Sequence, residues 1–184
     1  MADQNLVRLS KWMSLVLRHD PAKFGVVLDE AGWTRVDDLI AAAARADVPL
    51  DDATLRRAVA ENDKQRFALS GDGAMIRASQ GHSVQVELGL EPAEPPPILF
   101  HGTATRFLDS IRRDGLVPGS RRDVHLSADP DTATTVGARH GRPAVLRIDA
   151  ARMHAGGRLF FRSANGVWLT DAVPAEYLGF PDDN

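Results

Sequence analysis

The strongest constraint on how this chain can fold is a proline-rich segment near its middle. Residues 91–97 read Glu-Pro-Ala-Glu-Pro-Pro-Pro. Proline has no backbone N–H and holds φ at about −65°, so such a segment excludes a helix or a central strand and favours a stiff, extended connector. The sequence therefore predicts two domains, residues 1–90 and 98–184, each long enough to bury a small core.

The composition is that of an ordinary globular protein. The 184 residues carry 22 Lys and Arg against 25 Asp and Glu, and 43% are hydrophobic. A net charge of only −3 argues against a general polyanion binder. No apolar run approaches the roughly 18 residues of a membrane span, and no secretory signal pattern precedes the first helix. Without cysteine there are no disulfides or thiolate zinc sites. We expect a cytoplasmic monomer with no membrane contact.

The basic residues are unusually biased toward arginine. Three of the 22 are lysines, Lys11, Lys23 and Lys64, and the others are arginines. GC-rich codon usage produces such a bias, and so does a need for bidentate phosphate recognition by guanidinium groups. Composition does not distinguish the two explanations. Only the positions of the arginines in the sequence can do so.

The first half has the element order of a winged-helix domain. Apolar residues recur at helical spacing from Leu6 until Asp20-Pro21 ends the helix. The remaining predicted elements are a short strand at 25–28, helices at 36–45 and 51–62, and strands at 66–69 and 74–77 around a turn at 70–73. Winged-helix domains commonly bind nucleic acid through their third helix. Here that helix offers only Arg56 and Arg57 as basic groups, which makes it a weak reader of the major groove.

The second half alternates short strands with short helices and predicts a mainly β core. The predicted strands are 98–101, 124–127, 144–149, 159–161, 166–169 and 176–180, and the predicted helices are 105–113 and 131–140. Aspartate, serine and glycine separate these elements. The whole chain is therefore expected to be α+β.

Several polar residues are candidates for chemistry, and each also has a structural explanation. Arg18 and His19 end the first helix, where a cation is favourable on dipole grounds alone. The segment 80–83 (Gln-Gly-His-Ser) concentrates donors around a glycine, although polar turns are common. His101 and His125 lie in apolar strands, where a hydrogen-bonded core histidine is the more usual outcome. Zinc-type histidine spacings, a GxSxG motif, a P-loop and GxGxxG are all missing.

Eight segments, in order along nearly the whole chain, resemble the NAD-dependent RNA 2′-phosphotransferases (tRNA 2′-phosphotransferases). They are LSKWMSLVLRHDP (9–21), LDEAGWTRVDDLI (28–40), DKQRFAL (63–69), IRASQGHS (76–83), LFHGT (99–103), VHLS (124–127), VGARHG (136–141) and NGVWLT (165–170). The combination of LRH, QRF, RASQGHS, FHGT and VHLS is specific enough to make coincidence a poor explanation.

The resemblance implies a winged-helix N-lobe joined to an ADP-ribosyltransferase-like C-lobe, with the site in the cleft between them. It implies a substrate RNA, tRNA-like or other, with an internal 2′-phosphate. That phosphate attacks the nicotinamide-bearing ribose carbon of the co-substrate NAD, giving a 2′-phospho-ADP-ribosylated RNA intermediate. The ADP-ribose 2″-hydroxyl then attacks the phosphate, which releases 2′-OH RNA and ADP-ribose 1″,2″-cyclic phosphate. No metal is needed.

The resemblance also implies roles for individual residues. Arg18, His19 and Arg66 match the family's phosphate-binding residues. An arginine shortly before VHLS serves the second step, and either Arg121 or Arg122 could fill that position; the family spacing favours Arg121, although the neighbouring Asp123 was not expected.

NAD binding is implied for a second set of residues in the C-lobe: His101, Gly102, Thr103, His125, Ser127 and Arg139. Val167 is the expected hydrophobic member of a His-His-hydrophobic signature. Arg139 and His140 either meet the NAD pyrophosphate or cap their helix. The catalytic glutamate of many protein-modifying ADP-ribosyltransferases has no counterpart here, which fits a phosphate acceptor that is already ionised and needs no general base.

Two other functions compete with this interpretation. One is an ADP-ribosyltransferase that caps 5′-phosphorylated nucleic acid ends, which would share the NAD residues and differ in its acceptor. The other is a non-catalytic, NAD-sensing winged-helix regulator. The presence of three phosphate-site candidates argues against a sensor, because a sensor needs no pocket for an RNA phosphate.

Overall fold

The computed structural model describes residues 4–181 and separates the chain into two compact units, Met1–Gly89 and Leu90–Asn184. Each unit combines helices with small antiparallel sheets, so the predicted α+β class is confirmed. Within residues 4–181, no helix is both long and apolar enough to cross a lipid bilayer.

The N-terminal unit contains three helices and one three-stranded antiparallel sheet in the order β1-β3-β2. Its elements are α1 (Gln4–Arg18), β1 (Thr34–Arg35), α2 (Val36–Arg45), α3 (Asp52–Ala60), β2 (Phe67–Leu69) and β3 (Met75–Ala78). The three predicted helices and the hairpin are thus confirmed with small shifts of their bounds. Gly73 closes the hairpin turn with φ +71°, and its N–H donates to the Ser70 carbonyl at 2.8 Å.

The core of the N-terminal unit follows from helical periodicity. Helix α1 buries Leu9, Met13, Val16 and Leu17, which recur every three or four residues and so form one apolar face. Helix α3 starts at Asp51, whose carboxylate accepts a hydrogen bond from the Thr54 N–H at 2.8 Å. Hydrogen bonding with the Thr54 side chain, followed by this backbone bond, lowers the pKa of Asp51.

The predicted strand at 25–28 is wrong. A 3-10 helix at Ala22–Phe24 ends on Gly25, which turns the chain with φ +65°. The Val26 N–H then bonds locally, to the Pro21 carbonyl at 3.0 Å, and is not available to a neighbouring strand. The strand that pairs with β3 is instead Thr34–Arg35, where Thr34 lies opposite Ile76.

The C-terminal unit contains two three-stranded antiparallel sheets, β4-β6-β9 and β5-β8-β7. Its strands are β4 (Ile98–Ala104), β5 (Val124–Leu126), β6 (Pro143–Asp149), β7 (Phe161–Arg162), β8 (Trp168–Thr170) and β9 (Leu178–Gly179). Its helices are α4 (Leu108–Asp114), α5 (Pro130–Gly137) and α6 (Ala150–Ala155). Their buried side chains, among them Leu99, Leu126, Leu146, Ile148 and Phe160, form a second core.

Two parts of the C-terminal unit differ from the sequence prediction. Helix α6 was not predicted; Asp149 caps it by accepting from the Arg152 N–H at 3.1 Å. The predicted strand at 176–180 begins as a 3-10 helix, Ala175–Tyr177, and only Leu178–Gly179 pairs with β6. Both differences lie next to strand ends, where a short apolar run does not reveal which backbone groups find partners.

The proline-rich segment is fastened to the C-terminal unit. Pro92 forms an isolated bridge with Phe161, and the Ala93 N–H donates to the Phe160 carbonyl at 2.8 Å. The Pro97 carbonyl accepts from the Ala151 N–H at 3.1 Å. Proline removes donors but leaves every carbonyl available, so the segment is pinned along the unit's surface and is not a free-standing connector.

Candidate functional site

Three predicted phosphate ligands meet in one groove of the N-terminal unit. Arg18, His19 and Arg66 line a cavity of about 520 Å³ together with Lys11 and Lys64. Arg18 and Arg66 are 48 residues apart in sequence, and the Arg18 guanidinium donates from Nη2 to the Arg66 carbonyl at 3.3 Å. The fold therefore brings two guanidinium groups and an imidazole to one surface depression.

The end of α1 is held by the segment that follows β3. The Ser83 N–H donates to the Arg18 carbonyl at 2.9 Å, which satisfies one of the carbonyls left open where the helix ends. The Ser83 hydroxyl lies 3.0 Å from Nδ1 of His19. Ser83, which belongs to the segment of donors predicted at 80–83, therefore orients His19, one of the candidate phosphate ligands.

Asn62 positions Arg66 from the other side of the groove. Its Oδ1 accepts from Nη1 of Arg66 at 3.3 Å and from the Lys64 N–H at 3.2 Å, and its Nδ2 donates to the Ser10 hydroxyl at 3.0 Å. Sequence reasoning missed Asn62, because an asparagine after a helix is an ordinary turn residue. Its role follows from the buried amide, which joins Ser10 of α1 to Lys64 and Arg66 in the turn after α3.

The turn that carries Arg66 has an unusual backbone. Gln65 has φ +42°, in a region that non-glycine residues seldom occupy. The Ser79 hydroxyl donates to the Gln65 carbonyl at 2.8 Å, and the Ser79 N–H donates to the Arg66 carbonyl at 2.8 Å. The buried Ser79, part of the RASQGHS motif, therefore fixes the backbone on both sides of the peptide that presents Arg66.

His82 points inward and does not add a cation to the groove. It is 4% exposed, and among the described residues its Nε2 has no hydrogen-bond partner. Burial, followed by the charges of Arg18, His19 and Arg77, lowers the pKa of His82 to about 4. At neutral pH this imidazole is therefore uncharged.

The second group of candidate residues lies in the C-terminal unit, where β4 meets β5. Phe100 and Ser127 exchange two backbone hydrogen bonds of 2.8 Å, which joins the unit's two sheets at this point. Next to this bridge, His101 Nδ1 lies 3.0 Å from the His125 carbonyl, and His125 Nδ1 lies 3.0 Å from the Asp123 carbonyl. A carbonyl only accepts, so both imidazoles carry their proton on Nδ1.

The charge state of His101 is set by its surroundings. Burial lowers its pKa, the bond to the His125 carbonyl partly opposes this, and the charges of His140 and Arg121 lower it further. His101 is therefore neutral at pH 7, with a lone pair on Nε2 that accepts a hydrogen bond. The same electrostatic effect shows that Arg121 and His140 share the neighbourhood of His101.

The remaining C-terminal candidates occupy different environments. Arg121 is exposed in a turn in which its N–H donates to the Pro118 carbonyl at 3.3 Å. Arg139 is exposed in the 3-10 helix Ala138–His140, which follows α5. Ser127 is half-buried beside the β4–β5 bridge, and Val167, also half-buried, directly precedes β8.

Gly102 and Thr103 are buried beneath α5. A Cβ at Gly102 would overlap the Ala133 carbonyl oxygen, and a Cβ at Gly137 would lie 2.6 Å from the Thr103 carbonyl oxygen. These two glycines allow α5 to lie directly on the backbone of β4. Gly102 therefore has a packing role that is independent of any ligand.

No group of three or more His, Asp or Glu side chains suited to a metal ion occurs within residues 4–181. The donors assembled at the two places described above are guanidinium, ammonium, imidazole and hydroxyl groups. These groups suit phosphate and ribose oxygens.

Comparison with known proteins identifies the relatives of this chain. The family described as RNA 2′-phosphotransferase, Tpt1/KptA family, matches residues 4–172. The chain belongs to this family. A probable RNA 2′-phosphotransferase of Agrobacterium fabrum is 59% identical over 175 residues, which cover 95% of this chain and 94% of that protein. A probable RNA 2′-phosphotransferase of Streptomyces coelicolor is 54% identical over 181 residues, 98% of each chain.

Family membership confirms the resemblance that the eight sequence segments indicated. Those segments include every residue of the groove that the predicted roles depend on: Arg18 and His19 in the first segment, and Arg66 in the third. The match of the family extends through both compact units.

Proposed function

We propose that the protein removes an internal 2′-phosphate from RNA by transferring it to NAD. NAD supplies an electrophilic ribose carbon once nicotinamide leaves, so the products are 2′-OH RNA, nicotinamide and ADP-ribose 1″,2″-cyclic phosphate. The observation that carries this proposal is the convergence of Arg18, His19 and Arg66 in one groove of a chain that belongs to the RNA 2′-phosphotransferase family.

The N-terminal unit, a winged-helix domain in this proposal, holds the RNA phosphate. A phosphate monoester is dianionic and needs donors that fix its position rather than a base that activates it. Arg18 and Arg66 offer planar guanidinium forks, and His19 adds a ring donor. Ser83 and Asn62 hold His19 and Arg66 in place, so the phosphate meets donors whose orientation is already set.

The C-terminal unit, an ADP-ribosyltransferase-like domain in this proposal, holds NAD. Nε2 of the neutral His101 is an acceptor, which suits a ribose hydroxyl, and Ser127 lies beside the same bridge. The half-buried His101 gives this position hydrogen-bonding capacity without charge. Arg139 and His140, on an exposed turn after α5, are placed to meet an anionic group such as a pyrophosphate.

Arg121 serves the second step. When the phosphate becomes the electrophile, charge grows on its equatorial oxygens, and a guanidinium stabilises that charge. The Arg121 charge acts on His101, so Arg121 belongs to the neighbourhood in which NAD is proposed to bind. None of the proposed steps requires a metal.

Incubation of the purified protein with NAD and an oligoribonucleotide that bears one internal 2′-phosphate tests the proposal. We expect loss of the phosphate, one nicotinamide released per phosphate removed, and a cyclic-phosphate product detected by mass spectrometry. The same oligonucleotide without the 2′-phosphate should release no nicotinamide.

The assay also separates the competing functions. ADP-ribose attached to the 5′ end of a 5′-phosphorylated oligonucleotide, with the internal phosphate retained, would replace the proposal with end capping. Binding of NAD without release of nicotinamide from any oligonucleotide would indicate a sensor. Either result would overturn the proposed activity.

A further inference from the structure

The groove of the N-terminal unit is longer than one phosphate requires. Its wall follows α1 from Leu6 to His19. Lys11 and Arg18 are seven residues apart on this helix, so they project from nearly the same face with an axial separation of about 10 Å. A single phosphate held by Arg18, His19 and Arg66 fills only part of this cavity of about 520 Å³. The far end of the groove therefore has space and charge for another group.

The charges in the groove favour an anionic occupant along its length. Lys11, Arg18, Lys64 and Arg66 line it, against the carboxylates of Glu61 and Asp63. Glu61 is already paired with Arg57 at 3.8 Å. Two of the three lysines in the chain are in this groove, whereas Lys23 lies elsewhere, 5.9 Å from the Phe24 ring centroid.

The groove also has apolar positions between its cations. Val7 and Leu15 are 43% and 40% exposed on α1, on either side of Lys11 along the helix. Ser14 lines the groove between Lys11 and Arg18. Apolar, hydroxyl and ammonium groups in alternation fit a ribose-phosphate strand, which presents sugar faces and base edges between its charges.

We propose that this groove binds the RNA strand that flanks the 2′-phosphorylated nucleotide, with Lys11 paired to a phosphodiester of a neighbouring nucleotide. The proposal rests on the proposed function and extends it to the substrate. An ammonium on a flexible stem suits phosphates whose position varies, whereas the guanidinium forks of Arg18 and Arg66 suit the one phosphate that reacts.

The side chains that line the groove also determine which features of an RNA it recognises. Among the residues that the structure describes, no Phe, Tyr or Trp lines it, so it offers no large aromatic platform on which bases stack. The amide of Asn62 is committed to Ser10, Lys64 and Arg66. Binding is therefore driven by backbone charge, and the substrate class is single-stranded RNA around a 2′-phosphate with little dependence on base identity.

Binding measurements without NAD test this proposal. The ligands are a dinucleotide and an octanucleotide, each with one internal 2′-phosphate, and the variants are Lys11→Ala and its control Lys23→Ala. We expect Lys11→Ala to weaken octanucleotide binding roughly five- to tenfold at low salt and to leave dinucleotide binding unchanged. The slope of log affinity against log salt should fall by about 0.7, the value for one phosphate contact on a single strand.

The outcomes distinguish the groove from the proposed function. If wild type does not prefer the 2′-phosphorylated dinucleotide to the unmodified one, the proposed function fails. If that preference holds but Lys11→Ala binds the octanucleotide like Lys23→Ala, or weakens the dinucleotide equally, the groove proposal fails. A glutamate-rich peptide that displaces the octanucleotide as well as RNA does, in a Lys11-dependent way, would also overturn it. Octanucleotides of different base composition should bind within about twofold of one another.

Discussion

The two units of the molecule arrange their polar side chains in opposite ways. In the N-terminal unit, the cations Arg18, Arg66 and Lys11 line an open groove. In the C-terminal unit, His101 and His125 lie among strands, with each Nδ1 committed to a backbone carbonyl. The first arrangement suits an anionic ligand, and the second suits a ligand that donates hydrogen bonds. Substitutions in the first unit should therefore have the larger and more salt-sensitive effects.

Loss of a guanidinium from the groove should have the largest effect. We expect Arg18→Ala to reduce turnover of 2′-phosphorylated RNA by roughly a thousandfold or more, because a preorganised donor to the reacting phosphate is lost. Single-turnover rates and circular dichroism would separate this loss from unfolding. Arg8→Ala, which removes an exposed arginine of the same helix, is the matched control.

The Arg18→Lys variant separates the effect of charge from that of geometry, because lysine keeps the positive charge but lacks the planar guanidinium that binds a phosphate through two hydrogen bonds. An intermediate rate is expected. If Arg18→Ala turned over substrate as fast as Arg8→Ala, the groove would not hold the reacting phosphate. The expectation that substitutions in the N-terminal unit have the larger effects would then lose its basis.

Arg121 tests whether the C-terminal unit also contributes charge to the reaction. Loss of such a donor costs on the order of 3–4 kcal/mol, a hundred- to thousandfold in rate. We expect Arg121→Ala to accumulate 2′-phospho-ADP-ribosylated RNA, which a denaturing gel resolves as a slower band. Arg122→Ala should behave like wild type.

The reverse pattern, with the intermediate in the Arg122 variant alone, would move the assignment by one residue. Accumulation in neither variant would place stabilisation of the second step elsewhere, with Arg66 as the next candidate.

The sequence predicted the regular elements better than it predicted the contacts that hold the candidate site residues in place. The periodicity of Leu9, Met13 and Val16 is a local property, and α1 was found where it was expected. The candidate phosphate ligands came from a pattern of motifs, and the fold brings them together. Asn62 was missed, because its importance depends on how its amide joins Lys64 and Arg66 to Ser10, a residue of α1 that is close only after folding.

The prediction of a strand at 25–28 was wrong for a related reason. A run of apolar residues after a glycine fits a strand, but pairing depends on whether its N–H groups are still available. The Val26 N–H donates to the Pro21 carbonyl, in a turn that the positive φ of Gly25 makes possible. The proton position of His101 could not be predicted either, because it depends on the His125 carbonyl, which lies beside His101 only where the two sheets meet.

The buried histidine of the N-terminal unit should make stability depend on pH. The pKa of His82 is lowered from its ordinary 6.5 to about 4, so between these values the unfolded chain binds a proton that the folded chain does not. Stability should therefore fall as pH falls through 6.5 toward 4, by roughly 2–3 kcal/mol between pH 7.5 and 4.5. Other groups also titrate in this window, so the comparison has to be with a variant.

His82→Leu removes the titrating group and should remove that share of the pH dependence. Urea unfolding in a Trp168→Phe background reports on the N-terminal unit, because Trp12 and Trp33 then remain as the only tryptophans. If the variant and wild type lose equal stability between the two pH values, His82 is not the group responsible.

The smallest effect is expected for the hydrogen bond that the C-terminal unit offers to NAD. His101→Ala should raise the KM for NAD about tenfold, the value of roughly one hydrogen bond, and leave RNA affinity unchanged. Loss of RNA affinity at a constant KM for NAD would reverse the roles assigned to the two units. The pH dependence provides a second measurement. Acceptance by Nε2 requires neutral His101, and burial lowers the pKa of His101 below 6.5. The KM for NAD should therefore stay nearly constant as pH falls from 8 to 7 and rise only below that range, whereas a KM that rises already between pH 8 and 7 would contradict a neutral acceptor.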